Sequence, residues 1–337
     1  MKVAVVGATG AVGETILRLL EERNVPVDAL GTFASRQRDG AVHFRGNALD
    51  VQPASGEALS GYDVVFFAGG EDASERYARA LVENGSVVID NSSTFRLERD
   101  VPLIVPDVNG AALRAEHRLL PVANCTAIVL CSALRPIRDA AGLLAVNVAT
   151  YQAASGAGRD GIEELLGGER ALAAGLAEPP PSVFARPLAR NVVPQVGSFD
   201  DDGWSTEELK VRAETRKMLD LPDLAVAVTS VRVPVRTAHS EAVFVRTERP
   251  VTVAELAAVY ETSPGIVFHR DGIVTPREVE GTDEVHVARL RSCAAGDAGA
   301  PGTEFAFWCV GDQLRKGAAT NAVQILELLL ERGYLPA

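Results

Sequence analysis

A chain of 337 residues, 47% hydrophobic and 23% charged, has the make-up of a globular protein of about two domains. Its net charge of −12 argues against a nucleic-acid partner, which needs clustered Lys and Arg. No stretch approaches the roughly 18 uninterrupted apolar residues of a membrane-crossing helix, so a cytoplasmic protein with no membrane partner is expected.

Residues 3–6 form a short β-branched run that breaks at once into glycines, too short for a signal peptide, and read as a strand. Residues 15–23 follow as a helix, with Ile16, Leu19 and Leu20 on one face. A second strand is expected over 29–33, a third over 62–68, an alanine-rich helix over 74–84 and a strand over 86–90. Strands alternating with helices imply a parallel, doubly wound α/β sheet. A long apolar helix is expected over 126–141. Beyond it the pattern changes, with strands at 146–151, 224–235, 240–246, 284–291 and 304–310 that imply an antiparallel or mixed sheet in a second, α+β domain. Residues 178–182 read as a loop, 294–303 as a hairpin tip, and 316–332 as a closing helix.

Gly7, Gly10 and Gly13, with Thr9, Ala11 and Val12 between them, lie where the first strand turns into the first helix. Glycines there let the backbone approach a dinucleotide pyrophosphate, and the free N–H groups of the helix start face the anion. The second strand ends in Ser35-Arg36-Gln37-Arg38, with no acid to hold a ribose 2′-hydroxyl. A hydroxyl and two guanidiniums suit a 2′-phosphate, hence NADP(H), although the same residues also read as an exposed basic turn.

The cysteines are Cys125, Cys131, Cys293 and Cys309; none forms a C-x-x-C pair, and reduced thiols are expected. Cys125 opens the long helix, where the positive end of the dipole favours thiolate. Packing explains Cys131 inside that helix, and Cys293 and Cys309 in strands. Position alone leaves Cys125 open between nucleophile and packing residue. His239 ends a strand shortly after Arg232, a pairing that suits an acid/base beside an anion site. Glu207 and Lys210 stand one helical turn apart, which fits either a shared cleft or a surface ion pair. Arg96 follows a strand end, where parallel sheets present ligand groups.

Taken together, these segments resemble the aspartate-β-semialdehyde dehydrogenase family over nearly the whole chain. The resemblance rests on G-A-T-G-A-V-G at 7–13, N-S-S-T-F-R at 91–96, V-P-D-V-N at 105–109 and N-C-T at 124–126. It continues through T-Y-Q-A-A-S-G-A-G at 150–158, E-E-L-K at 207–210, E-T-R-K at 214–217, V-R-V-P-V at 231–235 and L-R-K-G-A-A-T-N-A-V-Q-I at 314–325.

The resemblance implies NADPH-dependent reduction of L-aspartyl 4-phosphate to L-aspartate 4-semialdehyde and phosphate, on the way to lysine, threonine and methionine. It implies Cys125 as the nucleophile that forms a thioester, His239 as acid/base and Gln152 as an orienting amide. Arg96 and Lys210 would hold phosphate, Arg232 the substrate α-carboxylate and Glu207 the α-ammonium. Asn321 would return to the nucleotide. A Rossmann-type dinucleotide-binding domain of residues 1–124 plus 316–337 is expected around a catalytic and dimerisation domain of 125–315. A homodimer is implied, and no metal. The chain departs from the family wording at 35–38, at 121–124, at Ala238, where glycine is common, and at Gln313, where asparagine is common. Rival readings are a reductase of N-acetylglutamyl phosphate, disfavoured because a G-C-Y-P-T nucleophile motif is absent, a reductase of an acyl-CoA, and an inactive nucleotide-binding paralogue.

Overall fold

The computed structural model describes residues 1–34, 42–293 and 299–335. The chain divides into two compact units, one of residues 1–124 with 318–337, the other of residues 125–317.

The first unit runs β1 (Lys2–Val6), α1 (Ala11–Glu22), β2 (Ala29–Ala34), a hairpin of β3 (Val42–Phe44) and β4 (Asn47–Leu49), then β5 (Val51–Pro53) and β6 (Val64–Phe67). It continues through α2 (Glu71–Glu83), β7 (Val87–Asp90), α3 (Pro106–Asn109) and β8 (Leu119–Pro121), and closes with the C-terminal helix Thr320–Glu331. Six strands form one sheet in the order β5-β2-β1-β6-β7-β8, parallel throughout. The composition dictates this. β6 reads Val-Val-Phe-Phe with all four residues buried, an unbroken apolar run that only a sheet covered on both faces can use. Pro53 and Pro121 end the two edge strands, where a missing N–H breaks no ladder. In α1, Ile16, Leu19 and Leu20 are fully buried, as their spacing demands.

The second unit begins with α4 (Cys125–Ala141), β9 (Ala145–Gln152), α5 (Gly158–Ala173), α6 (Thr206–Leu219), β10 (Ala225–Arg232) and β11 (His239–Val251). It ends with α7 (Val253–Thr262), β12 (Ile266–His269), α8 (Pro276–Val279), β13 (Val285–Ser292) and β14 (Gly302–Gly311). Its sheet is mixed, in the order β10-β9-β11-β14-β13-β12. The outer pairs are parallel and the middle ones antiparallel. Helix α4 lies against β11, β13 and β14 and packs on α6 and α7. Along β9 the side chains alternate, Val146, Val148, Thr150 and Gln152 being buried while Tyr151 is exposed. Register brings the end of β9 beside the end of β10, Gln152 opposite Arg232, while β11 starts next to them at His239.

Several elements differ from the sequence expectation. α1 starts at Ala11, inside the glycine motif, and α2 starts at Glu71, where Glu71 and Asp72 suit the positive end of a helix. The closing helix is preceded by a π-helical turn over Arg315–Ala319. Cys293 falls just past β13 rather than within a strand. Helix α5 was not legible because glycines at 158, 161, 167 and 168 break its pattern. Packing requires at least one of them: a Cβ on Gly161 would stand 2.5 Å from the Ala154 carbonyl oxygen.

Candidate active site

In the first unit, the turn from β1 to α1 is shaped by its glycines. Gly7 holds φ +86°, open to glycine at little cost, and its carbonyl accepts the Gly10 N–H at 3.0 Å. A Cβ on Gly13 would lie 2.2 Å from the Gly7 carbonyl oxygen, so only glycine lets α1 start this close to the turn. Gly10 caps α1 with no side chain over the helix start. Ser35, Arg36 and Arg38, the residues expected to choose the nucleotide, lie outside the described residues.

Arg96 sits in the same unit, buried, donating from Nη2 to the Asn91 carbonyl at 2.8 Å. The loop that carries it is built on Asp90, a buried carboxylate at the end of β7. Asp90 accepts the Ser92 backbone N–H at 2.8 Å, the Ser92 hydroxyl at 2.7 Å and the Ser74 hydroxyl. Asn321 is fully buried and donates to the Ile104 carbonyl at 3.3 Å, which ties the C-terminal helix to the chain before α3.

The second unit gathers Cys125, Gln152, Glu207, Arg232 and His239. Cys125 is half-buried and is the first residue of α4. Its neighbour Thr126 donates to Glu207 Oε1 at 3.2 Å, and Gln152 Nε2 donates to the same oxygen at 3.0 Å. Thr150 in turn donates to Gln152 Oε1 at 3.1 Å, which fixes the direction of that amide. The capping box of Ser205 and Glu208 at the start of α6 holds Glu207 in place. Lys210, half-buried, follows one turn along the helix.

Arg232 donates from Nη1 to the Ala153 carbonyl at 2.7 Å, and its guanidinium lies over the Phe184 ring, 5.6 Å from the centroid. Burial lowers this guanidinium from its usual range, while the negative charges of Glu207 and Cys125 pull it back up. A fixed cation is therefore held beside the thiol. His239 is fully buried. Burial, then the Arg232 charge, holds its imidazole well below the ordinary value, against an opposing effect of the Ala238 backbone. The Ala153 N–H donates to His239 Nδ1 at 3.1 Å, so a neutral ring carries its proton on Nε2, which has no partner among the described residues.

Three neighbours of this group escaped the sequence reading. A Cβ on Gly156 would meet Arg232 Nη1 at 2.7 Å and the His239 ring at 2.9 Å. A Cβ on Gly317 would meet that of Cys125 at 2.9 Å. Gln313 bonds both Ala238 and Ser155. The Gly156 and Gly317 positions lay within quoted motifs, but nothing local distinguishes them from turn glycines. Cys131 and Cys309 behave as packing residues, fully buried with burial pushing both thiols well up, whereas Cys293 is exposed, so packing does not account for it. Among the described residues no group of His, Cys, Asp and Glu is arranged to hold a metal.

Residues 2–116 match the semialdehyde dehydrogenase NAD-binding domain, and residues 134–316 the semialdehyde dehydrogenase dimerisation domain. The chain is 39% identical to the aspartate-semialdehyde dehydrogenase of Aquifex aeolicus, over 99% of each chain. It is 41% identical to aspartate-semialdehyde dehydrogenase 2 of Vibrio cholerae, over 97% of each. The solved structure of the Vibrio cholerae aspartate semialdehyde dehydrogenase II complexed with ASA superposes with a TM-score of 0.91, at 39% identity and 98% coverage of both chains.

Proposed function

The chain belongs to the aspartate-semialdehyde dehydrogenase family of oxidoreductases, and from that premise we propose that it reduces L-aspartyl 4-phosphate through a thioester on Cys125. The observation that carries this reading is the set of Cys125, Gln152, Glu207, Arg232 and His239 joined by buried hydrogen bonds and charge within one unit. Cys125 attacks as thiolate, favoured by the start of α4 and by the Arg232 charge. Its sulfur bonds to the acyl carbon, and phosphate departs with the electron pair of the broken C–O bond. Arg96 and Lys210 bind that phosphate. Arg232, with Nη1 anchored and its buried Nε without a partner among the described residues, offers a fork to the α-carboxylate. Glu207 takes the α-ammonium, and Gln152 orients the acyl group. Hydride addition leaves a hemithioacetal oxyanion that collapses to the aldehyde and expels Cys125 as thiolate, and the His239 Nε2–H steadies the departing sulfur by a hydrogen bond.

The turn of Gly7, Thr9, Gly10, Ala11, Val12 and Gly13 fits a pyrophosphate, because a side chain on Gly13 would fill the place the backbone needs. A nicotinamide cofactor held by this turn would supply the hydride for the thioester carbon, NADPH on the preference assigned below. The choice of NADP over NAD is assigned to Ser35 and Arg36 from their chemistry, and Asn321 to the same cofactor; comparing KM for NADP and NAD tests the preference. The dimerisation-domain match supports a homodimer, and Tyr151 and Phe244 on the open face of the second sheet suit a partner copy. A cytoplasmic place fits the four free cysteines.

The test is phosphate-dependent reduction of NADP by aspartate 4-semialdehyde, run beside Cys125→Ala. The expected result is activity that needs phosphate and falls at least about 10³-fold in the variant. Wild-type turnover in His239→Asn would sink the acid/base role. Activity with coenzyme A in place of phosphate would move the chain to acyl-CoA chemistry, although Glu207 argues against an acyl-CoA such as malonyl-CoA, which has no ammonium to bind.

A further inference from the structure

Ala238, the residue before His239, is fully buried and holds φ +70°, a conformation that favours glycine and strains a side chain. Its backbone N–H donates to Gln313 Oε1 at 2.8 Å, and Gln313 Nε2 donates to the Ser155 hydroxyl. The buried amide of Gln313 thus spans the two segments that grip the imidazole. One is residues 153–156, where Ala153 N–H holds Nδ1 and Gly156 packs on the ring. The other is the turn that leads into His239.

Gln313 is itself rigidly presented. Asp312 Oδ1 accepts the N–H groups of Leu314 at 2.8 Å and Arg315 at 3.1 Å, and Asp312 Oδ2 accepts that of Gly281 at 2.8 Å. On its other side, a Cβ on Gly317 would stand 3.3 Å from Gln313 Cβ and 2.9 Å from Cys125 Cβ, so one glycine separates this side chain from the nucleophile.

We propose that Gln313 is a positioning residue that holds the strained Ala238 turn in place and so aims His239. The proposal rests on the reading of His239 as acid/base. A side chain shorter by one carbon–carbon bond, about 1.5 Å, cannot satisfy both ends of the clamp. Without it, the left-handed Ala238 relaxes and the imidazole turns from its target. A glycine at 238 has no such strain to release, so the two positions are coupled.

The experiment measures the effect of Gln313→Asn in the wild-type and the Ala238→Gly backgrounds. In the wild type, kcat falls about tenfold, with KM for aspartate semialdehyde and NADP within about twofold. In the Ala238→Gly background the same change lowers kcat less than about twofold. Hydrogen exchange of the Ala238 amide quickens at least about tenfold in Gln313→Asn, a readout independent of turnover. Gln313→Met keeps the side-chain length, removes both bonds and gives the same loss of kcat, which serves if the asparagine chain is unstable. Unchanged kcat, an equal loss in both backgrounds, or unchanged exchange at Ala238 overturns the proposal. Wild-type turnover by His239→Asn would instead overturn the underlying reading, and exchange at Ala238 would still report on the clamp.

Discussion

The turn after β1 and the cluster around Cys125, the two places the proposed reaction assigns to anions, are built by opposite means. The first uses backbone alone: Gly7, Gly10 and Gly13 clear a space in front of the N–H groups of α1. The second uses side chains, each oriented by another: Thr150 fixes Gln152, Gln152 and Thr126 fix Glu207, and the Ala153 backbone fixes Arg232 and His239. A backbone site tolerates variation in its side chains and none in its glycines. A side-chain site spreads the same dependence over many residues far apart in sequence.

The largest effect that separates the two is expected at Gly13. In Gly13→Ala the new methyl meets the Gly7 carbonyl at 2.2 Å, and neither is at the end of a flexible chain. NADPH binding should weaken at least about 100-fold, close to 3 kcal/mol, as titration of its dihydronicotinamide fluorescence would read. Thiol reactivity at Cys125 should persist, since the second unit is untouched. Loss of both together would mean that the two regions are not independent.

Gly156→Ala tests the other half. Its methyl presses on Arg232 Nη1 and the His239 ring, which have hydrogen bonds to lose. Here kcat should fall by tens of fold, at most about 100-fold, while NADP affinity stays within about twofold. Steady-state kinetics with both substrates varied makes the distinction, and a fall in NADP affinity alone would reverse the assignment.

The same contrast decides what could be read in the sequence. The parallel sheet and the glycine turn were legible because their signals are local: an unbroken apolar strand, then three glycines at the strand-to-helix turn. The position of Cys125 at a helix start was local too. Glu207 and Lys210 had the spacing of an ordinary ion pair, and bonds from Thr126 and Gln152, 81 and 55 residues away, set Glu207 apart. Ala238 and Gln313 read as two unrelated departures from the family wording, yet they hydrogen-bond across 75 residues. Through-space constraints of this kind leave no period or spacing behind.

Within the second unit, β11 buries two titratable groups with opposite consequences for stability. His239 is held neutral by burial and then by Arg232, so the folded state resists a proton that the unfolded chain accepts near pH 6.5. Stability is therefore lost as pH falls below 6.5, at up to about 1.4 kcal/mol per pH unit from this group, until its folded-state value is reached. Comparing denaturant unfolding of the wild type and His239→Asn at pH 7.5 and 5.5 should show the wild type losing more. Equal losses would mean that water reaches the ring.

Glu241, two residues along the same strand, works the other way. Burial pushes its carboxyl up to about 8 from 4.5, even though it accepts the Cys309 thiol at 3.5 Å, and its Oε1 has no partner among the described residues. The folded state keeps the proton between pH 4.5 and 8 while the unfolded chain releases it. The stability this protonated carboxyl supports is complete below 4.5, declines by about 1.4 kcal/mol per pH unit above it, and levels off past 8. Glu241→Gln keeps the shape of the neutral acid and removes the titration. The variant should match the wild type near pH 4.5 and gain on it steadily as pH rises, a difference read from parallel unfolding curves. A difference that does not grow with pH would show the carboxylate ionised in the fold, with a counter-charge or water reaching Oε1.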